Sequence, residues 1–148
     1  MNHEVSKPIK ACRSCGATIL TPLLDLGSQP PANSLRRDLS EPLPSVPLQL
    51  CRCDRCATVQ LTETVDPAYL FRHYVWVTGT SRTAQDYSHE FCRRLRERIG
   101  RAGPLFVVEV ASNDGTFLRR FQEAGDRVLG IDPAENIARE ASANGIPT

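Results

Sequence analysis

Four cysteines stand in two pairs with the same two-residue spacer, Cys12-Arg-Ser-Cys15 and Cys53-Asp-Arg-Cys56. Such a spacer turns both thiolates of a knuckle toward one ion, and two knuckles supply the four sulfurs of a closed tetrahedral zinc site. Gly16, directly after Cys15, suits the tight turn that a knuckle needs. The long stretch between the pairs is no obstacle, because loop-closure entropy grows slowly with length. Cys51 is an alternative donor in place of Cys53; the spacing of the first pair favours Cys53, and strand alternation leaves Cys51 beside the metal as a spare. Four thiolates leave no open position for an activated water, so the expected role of the zinc is structural. An iron–sulfur cluster or a set of disulfides is the competing use of these cysteines. His3, His73 and His89 lie away from the pairs and read as surface or packing residues, and Cys92 reads as an ordinary buried thiol.

A second constellation lies in Val107–Leu118, VVEVASNDGTFL. Glu109 is at the end of an apolar run, and Ala111, Asn113 and Gly115 alternate through a polar turn that leads into a helix. Small residues let a ligand approach the backbone, Asn and Gly tolerate left-handed angles, and the helix N-terminus beyond attracts negative charge. A second apolar run ends in Asp132 and Pro133, and an acid at that point of a nucleotide-binding α/β fold hydrogen-bonds ribose hydroxyls. The candidate cofactor contacts are therefore Glu109, Ala111, Ser112, Asn113, Asp114, Gly115, Asp132 and Pro133. The loop lacks G-x-G-x-x-G, which argues against NAD. The plain alternative is a tight turn with Glu109 buried and Asp114 capping the helix.

The elements that must carry these groups differ along the chain. Residues 1–79 are rich in proline and cysteine, and short strands are expected at Ile19–Leu24, Leu48–Arg52 and Thr58–Thr62. Such a loop-rich module has little apolar pattern and needs a staple. Residues 80–104 read as a connecting helix, with Ser81 as N-cap and Gly100, Gly103 and Pro104 as the stop. Ala84, Tyr87, Phe91, Leu95 and Ile99 recur at helical spacing and define its expected inner face. Residues 105–148 read as strand, helix, strand and helix, with Phe117, Leu118 and Phe121 inward in the first helix. That alternation predicts a parallel sheet, and a third strand is expected to begin at Ile146-Pro-Thr.

Composition narrows the partners. The 148 residues carry a formal net charge of +1, which makes no case for a membrane surface or a general nucleic-acid partner. The arginines at 93, 94, 96 and 98 read as a solvated helix face. No apolar run approaches the ~20 residues of a membrane helix, and the N-terminus lacks a signal-peptide core. A cytoplasmic protein is expected. Arginine in place of nearly all lysine fits a bacterial, high-GC coding sequence.

Taken together, CRSCG, LLDLGSQPPANSL, PLQLCRCDRCATVQL, VDPAYLFRHYVWVTGTSRTAQDYSHEF, VVEVASNDGTFLRRF and VLGIDPAENIA resemble the sugar C-methyltransferases of deoxysugar biosynthesis. The resemblance runs from Cys12 to Thr148. It implies an α/β protein in which a small zinc-binding module precedes the first β-α-β-α half of a Rossmann-like class I methyltransferase domain. It implies zinc on Cys12, Cys15, Cys53 and Cys56, and S-adenosylmethionine on Glu109 to Gly115 and Asp132. It brings Tyr74 or Trp76 toward the substrate or cofactor. Trp76 stands where tyrosine is commoner in the family, which puts a proton-transfer role there in doubt. Ala111 stands where glycine is common, and its methyl is tolerable only if the local angles stay ordinary. The implied substrate is a nucleotide-linked, dTDP-type keto-deoxysugar, methylated at a carbon next to the keto group. The family's chains are longer, and its glutamate–histidine base pair lies beyond residue 148. The expectation is an N-terminal fragment without the main base, inactive alone, whose partner is a missing C-terminal methyltransferase half. The competing expectation is a non-enzymatic zinc-ribbon module that binds nucleic acid or protein; near-neutral charge counts against the nucleic-acid form.

Overall fold

A computed structural model describes residues 5–148; His3 lies outside the described residues. The described chain is mixed α/β and divides into two compact units, Met1–Leu70 and Phe71–Thr148.

In the first unit, β1 (Ser6–Pro8) is followed by β2 (Leu20–Gln29), β3 (Val46–Cys53), β4 (Val59–Leu61) and β5 (Glu63–Val65). β2, β3 and β4 form an antiparallel sheet in that order, and β1 pairs with β5. β2 runs well past its expected end at Leu24. It does so through two irregularities in its pairing with β3, one at Pro22/Leu24 and one at Asp25/Ser28. Gly27 lies in the second with a φ of 70°, so the extra residues bulge out without breaking the pairing. The β1–β5 pair is too short to leave a pattern in the sequence. A one-turn helix, α1 (Pro67–Phe71), closes the unit; Asp66 caps it by accepting from the Ala68 N–H at 3.0 Å, and Pro67 occupies the first turn.

The second unit contains α2 (Arg82–Ile99), β6 (Phe106–Val110), α3 (Thr116–Glu123), β7 (Arg127–Ile131) and α4 (Glu135–Ala143). Ser81 caps α2 by accepting from the Ala84 N–H, and Gly100 ends it at a φ of 62°. β6 and β7 pair in parallel, from Phe106 opposite Arg127 to Val110 opposite Ile131, with α3 as the crossover. Leu118, Phe121, Val128, Ala141 and Ile146 form the core with Cys92. Full burial of the leucine, phenylalanine, valine and isoleucine side chains among them contributes roughly 1.5–3 kcal/mol each.

The inner face of α2 is only partly the expected one: Leu95 packs against the core as expected. Ser88 and Cys92 are its buried residues, whereas Tyr87 is 54% exposed and Ile99 46%. Small side chains let α2 and α3 approach, and Ser88 Oγ meets Arg120 Nε at 3.2 Å across that contact. The aromatic rings are displaced to the rim, where Phe91 and Tyr87 meet Phe117 edge-on at 5.4 and 6.1 Å. Phe117 therefore belongs to that rim, while Leu118 and Phe121 point inward as expected.

At the chain's last residues, Pro147 accepts a hydrogen bond from the Gly130 N–H at 2.7 Å. Gly130 must be glycine because a Cβ there would come within 2.6 Å of Thr148 Oγ1. The division falls at Leu70/Phe71, and the 72–79 segment belongs with the second unit. The Arg72 carbonyl, for instance, accepts the Glu135 backbone N–H at 2.9 Å.

Candidate functional site

The two knuckles have matching backbones. Gly16 N–H donates to the Cys12 carbonyl and Ala57 N–H to the Cys53 carbonyl, both at 2.9 Å. Cys12 N–H reaches the Ala17 carbonyl at 2.8 Å, as Cys53 N–H reaches that of Thr58 at 2.9 Å. The residue after the second cysteine is left-handed in each, Gly16 at 74° and Ala57 at 60°. The second knuckle thus adopts the glycine geometry with an alanine, which hides it from a reading that looks for glycine.

This pairing brings the sulfurs of Cys12, Cys15, Cys53 and Cys56 within 4.8 Å of one another. Cys12 lies 3.7 Å from Cys56, and Cys15 lies 3.6 Å from Cys53. A tetrahedron with Zn–S of about 2.3 Å has S–S edges of about 3.8 Å, so the residues present fit zinc. Cys51 is buried outside the group, and Cys53 supplies the fourth sulfur. The Cys15 backbone N–H, with that of Ser14, pulls the Cys12 thiol down to about 6. The Thr58 hydroxyl and N–H lower that of Cys56. For Cys15 the Ala17 N–H also works downward, but its sulfur neighbours Cys56, Cys53 and Cys12 and its burial outweigh it and push the thiol up to about 11. Adjacent thiols cannot all ionise without a cation among them.

The second constellation gathers around the C-terminal ends of β6 and β7. Ala111 and Asn113 are left-handed, at φ of 60° and 51°. The condition on the Ala111 methyl is therefore not met: the loop has the glycine conformation and carries an alanine, at a cost of about 1–2 kcal/mol. Asp132 ties the turn together, accepting from the Asn113 N–H and the Ala134 N–H, both at 2.8 Å. Asp114, just before the Gly115 cap of α3, accepts from the Thr116 N–H at 3.2 Å and its hydroxyl at 2.7 Å. Gly115 is buried at a φ of 75°, and a Cβ there would meet Ile146 Cγ2 at 2.7 Å.

Two groups under the loop are left without partners, Glu109 Oε2 and the hydroxyl of the buried Ser112. Burial first, then Asp114 and Asp132, pushes the Glu109 carboxyl up to about 7. Above the loop lies a cleft of about 180 Å³. Ala111, Asn113, Asp132, Pro133 and Ala134 line one side of it, and Phe71 and Tyr74 the other. Trp76 is 53% exposed and does not line it. Phe71 and Ala134 were missed in the sequence, because a terminal helix aromatic and an alanine bear no chemical mark.

Residues 12–71 match a family model described as "Putative zinc binding domain". C-methyltransferase NovU of Streptomyces niveus is 33% identical over 148 residues, which are 99% of this chain and 35% of NovU. The resemblance to the N-terminal part of a zinc-containing C-methyltransferase is borne out. The match and the four-sulfur geometry together support zinc binding by the first unit. The chain spans about a third of the length of the relative it matches. A non-enzymatic zinc-ribbon module is not favoured by these similarities. None of the helices among the described residues is long and apolar enough to cross a membrane.

Proposed function

We propose that the chain serves as the N-terminal part of an S-adenosylmethionine-dependent C-methyltransferase acting on a nucleotide-linked keto-deoxysugar. On this reading the first unit is a zinc-stapled module, and the second begins a Rossmann-like class I methyltransferase domain. The observation that carries it is the meeting of a left-handed loop, a carboxylate and an aromatic wall at one cleft, Ala111–Asn113, Asp132 and Tyr74. Asp132 is the ribose-binding acid: each oxygen accepts one N–H and keeps a lone pair for a hydroxyl donor. Gly115 lets the turn pack closely against Ile146, beneath the cleft. Glu109 Oε2 and the Ser112 hydroxyl, both buried and unpartnered, lie outside the cleft lining. Pro133 and Tyr74 line the cleft and would face the adenine ring of the cofactor. When bound, the cofactor supplies an electrophilic methyl group.

At about 180 Å³ the cleft is smaller than the roughly 300–1,000 Å³ of complete small-molecule sites. The residues here supply one wall of the cofactor site, and the sugar and the catalytic base need more of a C-methyltransferase than these residues. The test is calorimetric titration with S-adenosylhomocysteine. Weak binding that Asp132→Ala abolishes is the expected result, together with no methyl transfer to a dTDP-keto-sugar by these residues alone. Binding that Asp132→Ala leaves unchanged would remove the proposed site.

A further inference from the structure

The aromatic wall of the cleft stands on a segment that no strand supports. Residues 72–79 are held instead by side chains from elsewhere in the same unit, Asn136, Asn113 and Asp114 among them. Asn136, in the first turn of α4, accepts from the Tyr74 N–H at 3.0 Å and donates to the Tyr74 carbonyl at 2.9 Å. Asn113 repeats the device, accepting from the Thr78 N–H at 2.8 Å and donating to the Trp76 carbonyl at 3.0 Å. Asp114 accepts from the Gly79 N–H at 3.0 Å. A side-chain amide carries a donor and an acceptor together, so each asparagine imitates the pairing of a neighbouring strand.

The geometry couples this strap to the cleft. Asn113 holds the strap by its side chain while its own N–H is bound by Asp132 at 2.8 Å. Asn136 lies two residues beyond Ala134, whose N–H binds the other Asp132 oxygen at 2.8 Å. Tyr74 is thus fixed by its backbone, and its ring reaches the cleft beside Phe71, with ring centres 6.2 Å apart. Asn136 itself does not line the cleft.

We propose that Asn136 is a positioning residue: its paired hydrogen bonds to Tyr74 seat the 72–79 strap as the aromatic wall of the cleft. The consequence for ligand affinity rests on the adenosyl reading of the cleft given above.

Trp76, the single tryptophan, lies on the strap and reports its seating. The experiment combines Trp76 fluorescence anisotropy with S-adenosylhomocysteine titration for the wild type, Asn136→Ala and Asn136→Asp. Losing two hydrogen bonds predicts about a tenfold weaker affinity for Asn136→Ala and a lower Trp76 anisotropy, with zinc content unchanged. Asn136→Asp keeps the acceptor and loses the donor, and an intermediate result is expected. It also carries the test if the alanine variant does not fold. Unchanged anisotropy in both variants overturns the proposal, even with affinity lost, because the effect then bypasses the strap. A wild type that binds no S-adenosylhomocysteine, with anisotropy still falling in Asn136→Ala, sinks the adenosyl reading and leaves the positioning role standing.

Discussion

Two alanines occupy backbone positions that glycine fills without strain. Ala57 and Ala111 sit at φ of 60°. Relief of left-handed strain predicts that Ala111→Gly and Ala57→Gly each stabilise the chain by about 1 kcal/mol, less the entropy glycine restores to the unfolded state. Denaturant melts of the single variants check this, and a loss of stability would show that the methyl groups make contacts worth more than the strain. Glu109 makes a second prediction at this scale. Its carboxyl titrates near 7 in the folded protein and near 4.3 when unfolded. Between those values the folded state binds more protons, so stability is highest below the unfolded pKa and falls as pH rises through 7. Glu109→Gln should remove that fall, gaining on the order of 1 kcal/mol at pH 8 after allowance for solvent screening of a half-buried group. Parallel melts at pH 4.5 and pH 8 measure it; equal gains at both would mean that ionisation is not the cause.

At the scale of elements, β3 ends in two cysteines with different tasks. Cys51 and Cys53 are both buried, yet only Cys53 joins the four-sulfur cluster. Cys53→Ser is therefore expected to lose most bound zinc, and Cys51→Ser to keep it at some cost in packing. Elemental analysis of the purified variants, or the absorption of a cobalt-substituted form, distinguishes them. Zinc lost from both alike would show that Cys51 takes a share in the site. The two knuckles also explain why the ligand set is fixed by backbone and not by spacing alone. Their matching hydrogen bonds at Cys12 and Cys53 orient the first thiol of each pair, and Cys51, inside the strand, lacks that turn.

At the scale of the molecule, the two units rest on different physics. Among the described residues of the first, the buried apolar side chains are Cys12, Val46, Cys51 and Cys53, and two of these belong to the four-sulfur cluster. β2 is largely exposed along its length. So thin a core does not offset the conformational entropy of a unit this size, and metal binding must supply the balance. Chelation at neutral pH is expected to abolish the strand signal of this unit in circular dichroism, and zinc to restore it. A signal that survives complete metal removal would contradict that account. The second unit has a core of its own, with Leu118, Ile137 and Ile146 fully buried.

Much of this was written in local chemistry. Repeated C-x-x-C spacing marks its ligands because the knuckle is a local turn, and Ser81 and Gly100 mark the limits of α2 because capping is local too. The strand–helix–strand–helix order of residues 105–148 followed from apolar runs broken by glycine and proline. What required the folded chain depends on contacts between distant residues. The face that α2 buries was legible only in part: Leu95 packs on the core as expected, but the small Ser88 and Cys92, and not Tyr87 or Ile99, are its buried residues. The left-handed turns at Ala57 and Ala111 carry no glycine to announce them; their N–H groups donate to the carbonyls of Cys53 and Ile131, contacts visible only in the fold. The hold of Asn136 and Asn113 on the 72–79 strap was invisible in sequence, because an amide that pairs with a remote backbone looks like any surface asparagine until the tertiary fold brings the two together.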